Sequence, residues 1–187
     1  MVPCEEPTRL YSILQTSINT SMKLLYDDPC IYSVHNSNLL PYNFKEEVIH
    51  MWKKHEPWKK YTVEYNQELL DYEKRLDPLY DFFVYNIENT LNVKVKEKRK
   101  YWLYISDENF TITQWHNHTK TADIVGVYYI EVNKNGPIEF EGKNKVITHY
   151  PVNNEMIVFH SNVVHRPIPS GTKNTIRISL NIEAYLQ

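Results

Sequence analysis

Apolar and polar residues alternate with two different periods along this chain, and the change falls near residue 100. Upstream, apolar residues recur every three to four positions. In "FKEEVIHMWKKH", Phe44 to His55, Phe44, Val48, Ile49 and Trp52 keep helical spacing, and Pro57 stops the run. "PLYDFFVYNIENTLN", Pro78 to Asn92, carries the strongest helical pattern. Leu79, Phe82, Phe83, Ile87 and Leu91 form its apolar stripe, with Asn86 at the edge, as expected of a helix packed on a core. Pro78 suits the first turn and Asp77 is the expected N-cap. From about Lys100 the period becomes two. "KYWLYIS", "FTITQWH", "IVGVYYIEV", "PIEFE", "EMIVFHS" and "TIRISLNIEA" are short and rich in β-branched and aromatic residues. Turn-forming residues divide them: Asp107-Glu-Asn, Asn133-Lys-Asn-Gly136, Asn153-Asn154 and Pro169-Ser-Gly171. Several short strands at this spacing predict an antiparallel sandwich or barrel.

No repeat, low-complexity tract or domain boundary interrupts the pattern. The expected fold class is therefore α+β, mainly β, as a single domain over residues 1–187. A largely helical part over 1–99 would pack beside a β core over 100–187. A chain of 187 residues is long enough for a sizeable core. The formal charge of −2 excludes a strongly basic nucleic-acid binder. The basic run from Lys94 to Lys100 reads as a solvated turn before a strand. A membrane-length apolar run and a leader pattern are both missing, so no membrane partner is expected. Cys4 and Cys30 cannot make a disulfide framework, which points to a reducing, cytoplasmic setting. Richness in Asn, Lys, Ile and Tyr with only four glycines suggests the bias of an AT-rich genome, such as a viral one.

The chemistry begins at "TQWHNHTK", Thr113 to Lys120. On a strand His116 and His118 point one way and Asn117 the other. Two imidazoles on one face can share a metal ion, or can be ordinary polar residues on a wet face. "TIRISLNIE" sharpens the choice. Ile176, Ile178, Leu180 and Ile182 share the core face, which leaves Arg177, Ser179 and Asn181 on the other. Arginine with serine two residues on is a good carboxylate clamp, because the planar guanidinium grips both oxygens and the hydroxyl adds one bond. Upstream, "EMIVFHSNVVHRPIP" offers His160 and His165. His165 lies at a strand end, twelve positions before Arg177.

Taken in order, "HNH" before "GVYYI", then "VFHSNVVH" and "RIS", resemble the Fe(II)- and 2-oxoglutarate-dependent oxygenases. The resemblance covers roughly the last ninety residues. It is nearest to small prolyl-hydroxylase-like members, some of them phage-encoded. It implies a double-stranded β-helix (jelly roll) with N-terminal helices packed on one face. It implies Fe(II) and 2-oxoglutarate as cofactors, and hydroxylation of a protein or small-molecule substrate with decarboxylation of 2-oxoglutarate to succinate. His116 would be the first metal histidine and His165 the distal one. Arg177 and Ser179 would hold the far carboxylate of the cosubstrate. Tyr129 would contact the cosubstrate, Asn181 would complete the polar face, and Tyr104 would reach the pocket. Tyr128, facing the other way, would pack.

The family usually writes His-x-Asp or His-x-Glu, and here that carboxylate slot holds His118. Three histidines can bind a divalent first-row metal. Asp123, five positions on, is the alternative ligand, and His118 would then be a pocket residue touching substrate or water. His35, His50, His55 and His149 stand apart from these motifs, and His160 lies too far before Arg177 for the family spacing. Two other readings remain open. "HNH" with Asp123 resembles a first cupin motif, of a metalloenzyme without 2-oxoglutarate, although the second cupin motif lacks its glycine. A non-catalytic jelly-roll module would leave His116, His118 and His165 apart. Tyr61, Tyr65, Tyr72, Tyr80 and Tyr85, with Trp52, Trp58 and Trp102, are candidates for a peptide-binding lip or for plain packing.

Overall fold

The structure is a computed structural model that describes residues 21–54, 73–96, 100–107, 114–132, 136–168 and 172–187. In chain order the elements are β1 (Lys23–Asp27), β2 (Cys30–His35), α1 (Phe44–Lys54), a 3-10 turn (Glu73–Leu76) and α2 (Asp77–Leu91). They continue with β3 (Lys100–Asp107), β4 (Ile124–Glu131), β5 (Ile138–Glu141), β6 (Val146–His149), β7 (Glu155–His160), β8 (His165–Pro167) and β9 (Ile176–Ala184). The large sheet runs β1-β2-β7-β4-β9-β3, and a small sheet runs β6-β5-β8. Every pairing in both is antiparallel.

Strict alternation sorts the large sheet into two faces. Ile124, Tyr128 and Ile130 of β4, Met156 and Val158 of β7, and Ile178, Leu180 and Ile182 of β9 enter one core cluster. That cluster also takes Phe44 and Val48 of α1 and Leu79, Phe82, Phe83 and Ile87 of α2. The intervening residues face the small sheet. Val125, Val127 and Tyr129, with Ile157 and Phe159, meet Ile138 and Phe140 of β5 in a second cluster. A jelly-roll-like sandwich results, mainly β with two helices among the described residues.

Several details depart from the sequence expectations. Residues 23–27 and 30–35 are strands, not part of a helical half, and β2 pairs with β7 across the sheet. "CIYSVH" is too short for its alternation to stand out, yet Ile31 is sealed in one cluster and Val34 in the other. Asp77 is not the N-cap of α2. Leu76 holds that place with φ −92° and ψ −2°, because the 3-10 turn feeds the helix without a break. Pro78 sits in the first turn as expected, and Asn92 closes the helix in the left-handed region at φ 53°. Asn86 is buried and donates its side-chain amide to the Phe82 carbonyl at 2.8 Å, which makes a polar residue tolerable there. Of the strand expected from "FTITQWH", the described residues 114–116 hold a single bridge, at His116, and residues 110–113 lie outside the described residues. His55, Trp58, Tyr61, Tyr65 and Tyr72 also lie outside them.

Gly126 marks where α2 meets the sheet. A Cβ there would sit 2.6 Å from Cε2 of Phe83, a fully buried ring that cannot swing aside. Gly126→Ala is therefore expected to cost roughly 1–3 kcal/mol of stability, the usual range for overpacking. In a Phe83→Leu background the penalty should shrink, and a urea-denaturation double-mutant cycle measures the difference.

Candidate metal centre

His116 lies in the segment before β4, His118 two residues on, and His165 opens β8. His116 and His165 exchange backbone hydrogen bonds, N–H to carbonyl, at 3.0 and 2.9 Å. The His118 N–H reaches the Ser161 carbonyl at 2.8 Å. These bonds lay the histidine segment beside β8 and turn the three rings toward one another. Ring centroids stand 5.4 Å apart for His116 and His118, 4.4 Å for His116 and His165, and 5.2 Å for His118 and His165. One nitrogen from each ring falls within 4.8 Å of the others, so the three can hold one metal ion.

The second nitrogen of each ring fixes which atom would face a metal ion. Nδ1 of His116 lies 3.0 Å from the Gln114 carbonyl, and Nδ1 of His165 lies 3.0 Å from the Val163 carbonyl. Nδ1 of His118 lies 2.8 Å from Oε1 of Glu183. Each partner is an acceptor, so Nδ1 carries the hydrogen and the Nε2 lone pair is left for a metal. Burial, with His116 and His118 nearby, pushes His165 down to about 3 despite its bond to Val163. Burial also lowers His116. Both are therefore neutral at ordinary pH, the form that binds metal. Phe159 packs its ring 4.8 Å from that of His165, which keeps this side of the site dry.

A cavity opens beside the triad. Trp102 and Tyr104 of β3 and Arg177, Ser179 and Asn181 of β9 line it together with the three histidines. Val127, Ile138 and Pro167 make the apolar part of the wall. Arg177 is buried, and its Nη1 donates to the Gly136 and Pro137 carbonyls at 3.3 and 3.1 Å. Its Nη2 donates to the Tyr129 hydroxyl at 3.4 Å. Its Nε–H is buried and has no hydrogen-bond partner among the described residues. A cation sealed in a cavity wall with a donor left over asks for an anion. The histidine donor set suits a divalent first-row metal, and Arg177 with Ser179 suits a carboxylate beside it.

The sequence-derived site residues divide as follows. His116, His118, His165, Arg177, Ser179, Asn181 and Tyr104 all line one cavity. Tyr129 is fully buried behind Arg177 and is not among the lining residues. Burial pushes its hydroxyl up to about 12, so it stays protonated while its oxygen braces the guanidinium. Tyr128 packs in the opposite cluster and bonds through its hydroxyl to the Asn36 carbonyl and to Asn154. Asp123 does not join the three histidines. It is exposed at the start of β4, outside the triad, and its Oδ2 accepts the Leu186 N–H at 2.8 Å. His160 ends β7 exposed, paired with Ile124 and away from the triad. Of the aromatic residues weighed as a peptide lip, Tyr80 is core, stacked edge-on to Tyr101, and Trp102 lines the cavity. Convergence of the three histidines removes the reading in which they lie apart.

Glu183 was not among the expected site residues. It stays on the face of β9 that carries Arg177, Ser179 and Asn181, and the alternation in "RISLNIE" was the available signal. Its carboxylate is buried and also accepts from the Thr121 hydroxyl at 2.7 Å.

No family model matches the chain, and no curated protein matches its sequence. Solved structures do match. AviO1 from Streptomyces viridochromogenes superposes with a TM-score of 0.60 over 97% of this chain and 96% of its own, at 12% identity. A prolyl 4-hydroxylase from Phytophthora capsici gives 0.59 over 98% of this chain and 68% of its own, at 13% identity. SnoN, a non-heme alpha ketoglutarate dependent epimerase of nogalamycin biosynthesis, gives 0.57 over 92% and 82%, at 14% identity. The fold is that of the non-haem 2-oxoglutarate-dependent oxygenases. Among the described residues no helix is long and apolar enough to cross a membrane.

His165→Ala is expected to weaken Zn(II) or Fe(II) binding by more than the roughly 10–100-fold that loss of an outer partner costs. Asp123→Asn should leave it unchanged. Anaerobic competition titration against a chromophoric chelator reads both.

Proposed function

We propose that this chain is an Fe(II)- and 2-oxoglutarate-dependent dioxygenase that hydroxylates a protein or small-molecule substrate. The observation that carries the reading is the pairing of two features in one cavity: three imidazoles that can share one ion, and a buried guanidinium whose Nε–H has no partner among the described residues. Either alone has ordinary explanations. Together they fit an ion and an organic acid bound side by side, on a fold shared with 2-oxoglutarate enzymes.

In this reading His116, His118 and His165 would hold Fe(II) at the wall of the cavity. When bound, the iron and 2-oxoglutarate supply the redox chemistry that couples decarboxylation to oxygen insertion. The chain's own task is orientation. Arg177 receives the far carboxylate through Nε–H and the neighbouring Nη2, and Ser179 adds a hydroxyl. Tyr129 and the Gly136 and Pro137 carbonyls hold the guanidinium in place, so little ordering is left when the acid arrives. Val127, Ile138 and Pro167 exclude water from the acid's carbon chain. Trp102, only half-buried and with its ring 5.6 Å from His118, stands on the substrate side. The two helices, sharing one core cluster with the large sheet, buttress it from the side away from the cavity.

The cupin alternative gives Arg177 and Ser179 no task, and it loses its carboxylate ligand now that Asp123 stands elsewhere.

With dioxygen and a reductant such as ascorbate present, Fe(II)-loaded protein is expected to convert 2-oxoglutarate to succinate and carbon dioxide, slowly even without its substrate. Arg177→Gln should raise the 2-oxoglutarate requirement by about 10–100-fold, matching the roughly 1.5–3 kcal/mol of a hydrogen bond to a charged group. Its Fe(II) affinity should be nearly intact. Succinate quantification across 2-oxoglutarate concentrations, beside a metal titration, checks this. Loss of iron binding in the variant would remove Arg177 from the assigned role, and iron binding without any succinate would favour the cupin reading.

A further inference from the structure

The place that a carboxylate ligand would occupy is filled by His118, and a carboxylate waits directly behind it. Oε1 of Glu183 lies 2.8 Å from Nδ1 of His118, and Glu183 is only 2% exposed. Burying an acid is costly without partners, and this one is held by an imidazole N–H and the Thr121 hydroxyl. The register explains why it reaches. Glu183 pairs with Val125 of β4, next to the loop from His118 to Asp123 that the Thr121 and Ala122 N–H bonds to the His118 carbonyl close. Of the three rings, only His118 has a carboxylate on Nδ1; His116 and His165 meet neutral carbonyls there.

We propose that Glu183 is a positioning residue that returns to the metal site, through His118, the negative charge that a directly bound carboxylate would have brought. This rests on the reading of the three imidazoles as metal ligands. A divalent ion on Nε2 draws electron density from the ring and polarises Nδ1–H toward Glu183. A carboxylate there answers with a stronger hydrogen bond and a more basic ligand, where a carbonyl answers only weakly. The charge sits one ring away from the ion, so the ion keeps three nitrogen ligands.

The arrangement has a consequence for the ligand that the family usually places at this position. An aspartate at position 118 would put an oxygen close to the place of Nδ1, facing Glu183 across a buried gap. Two carboxylates in such a gap repel. The usual family ligand is therefore incompatible with this Glu183, and removing the glutamate's charge should restore compatibility.

The test measures metal affinity anaerobically for Fe(II) and Co(II), with the Co(II) visible spectrum as the geometric readout and circular dichroism as the check on folding. E183Q, which keeps an acceptor but loses the charge, is expected to bind about 10–100-fold more weakly than the native chain. H118D should bind poorly, and H118D/E183Q should recover affinity beyond H118D with an altered Co(II) spectrum. The proposal is overturned if E183Q binds as the native chain does, or if E183Q fails to improve H118D. A native chain that binds neither ion overturns the metal reading as well. Native binding that H165A abolishes and E183Q leaves untouched overturns this proposal alone.

Discussion

His116 and His165 face each other as a hydrogen-bonded antiparallel pair, each N–H on the other's carbonyl, and the candidate centre is built outward from that contact. In such a pair the two side chains leave the backbone on the same side, a few ångströms apart. Two residues far apart in the chain thus become neighbours through their backbones. His118 follows through its own backbone bond to Ser161, and the turn after it carries the chain into β4. The hydrophobic cluster between the sheets stabilises this contact from below: Phe140 and Phe159 pack against each other and against His165. The same apolar wall that fixes the ring keeps it neutral.

Strand β9 serves both ends of the site. Its odd-numbered residues face inward, and six residues of strand, about 20 Å of backbone, separate Arg177 from Glu183. Arg177 at one end presents a cation to the cavity. Glu183 at the other meets the imidazole of His118. Ser179 and Asn181 line the wall between. Even-numbered neighbours anchor the strand in the cluster shared with the helices. One strand therefore carries opposite charges to two partners while its other face remains entirely apolar.

The inward face of β9 was legible because a period of two is unambiguous over nine residues, and Arg177 with Ser179 stood out on it. Glu183 was on the same face, but an acid near a strand end reads as solvent-exposed until the register with β4 is known. The choice between His118 and Asp123 had the same character. Spacing allows either; in the fold the His118 ring stands beside those of His116 and His165, while the Asp123 carboxylate takes the Leu186 N–H near the C-terminus. Strands β1 and β2 carry little signal in the sequence because both are short, and β2 finds its partner in β7, more than a hundred residues on. Long-range pairing of this kind leaves no local trace. The helix α2 was read nearly to its ends because a fifteen-residue stripe is a local signal.

The central claim is that three imidazoles bind the ion directly and that the carboxylate stays outside. An X-ray absorption spectrum of the Fe(II)-loaded chain, with 2-oxoglutarate present and oxygen excluded, tests it most directly. The account predicts the multiple-scattering pattern of three coordinated imidazoles, with the remaining ligands supplied by the acid and solvent. A spectrum fitted by two imidazoles or fewer would contradict it.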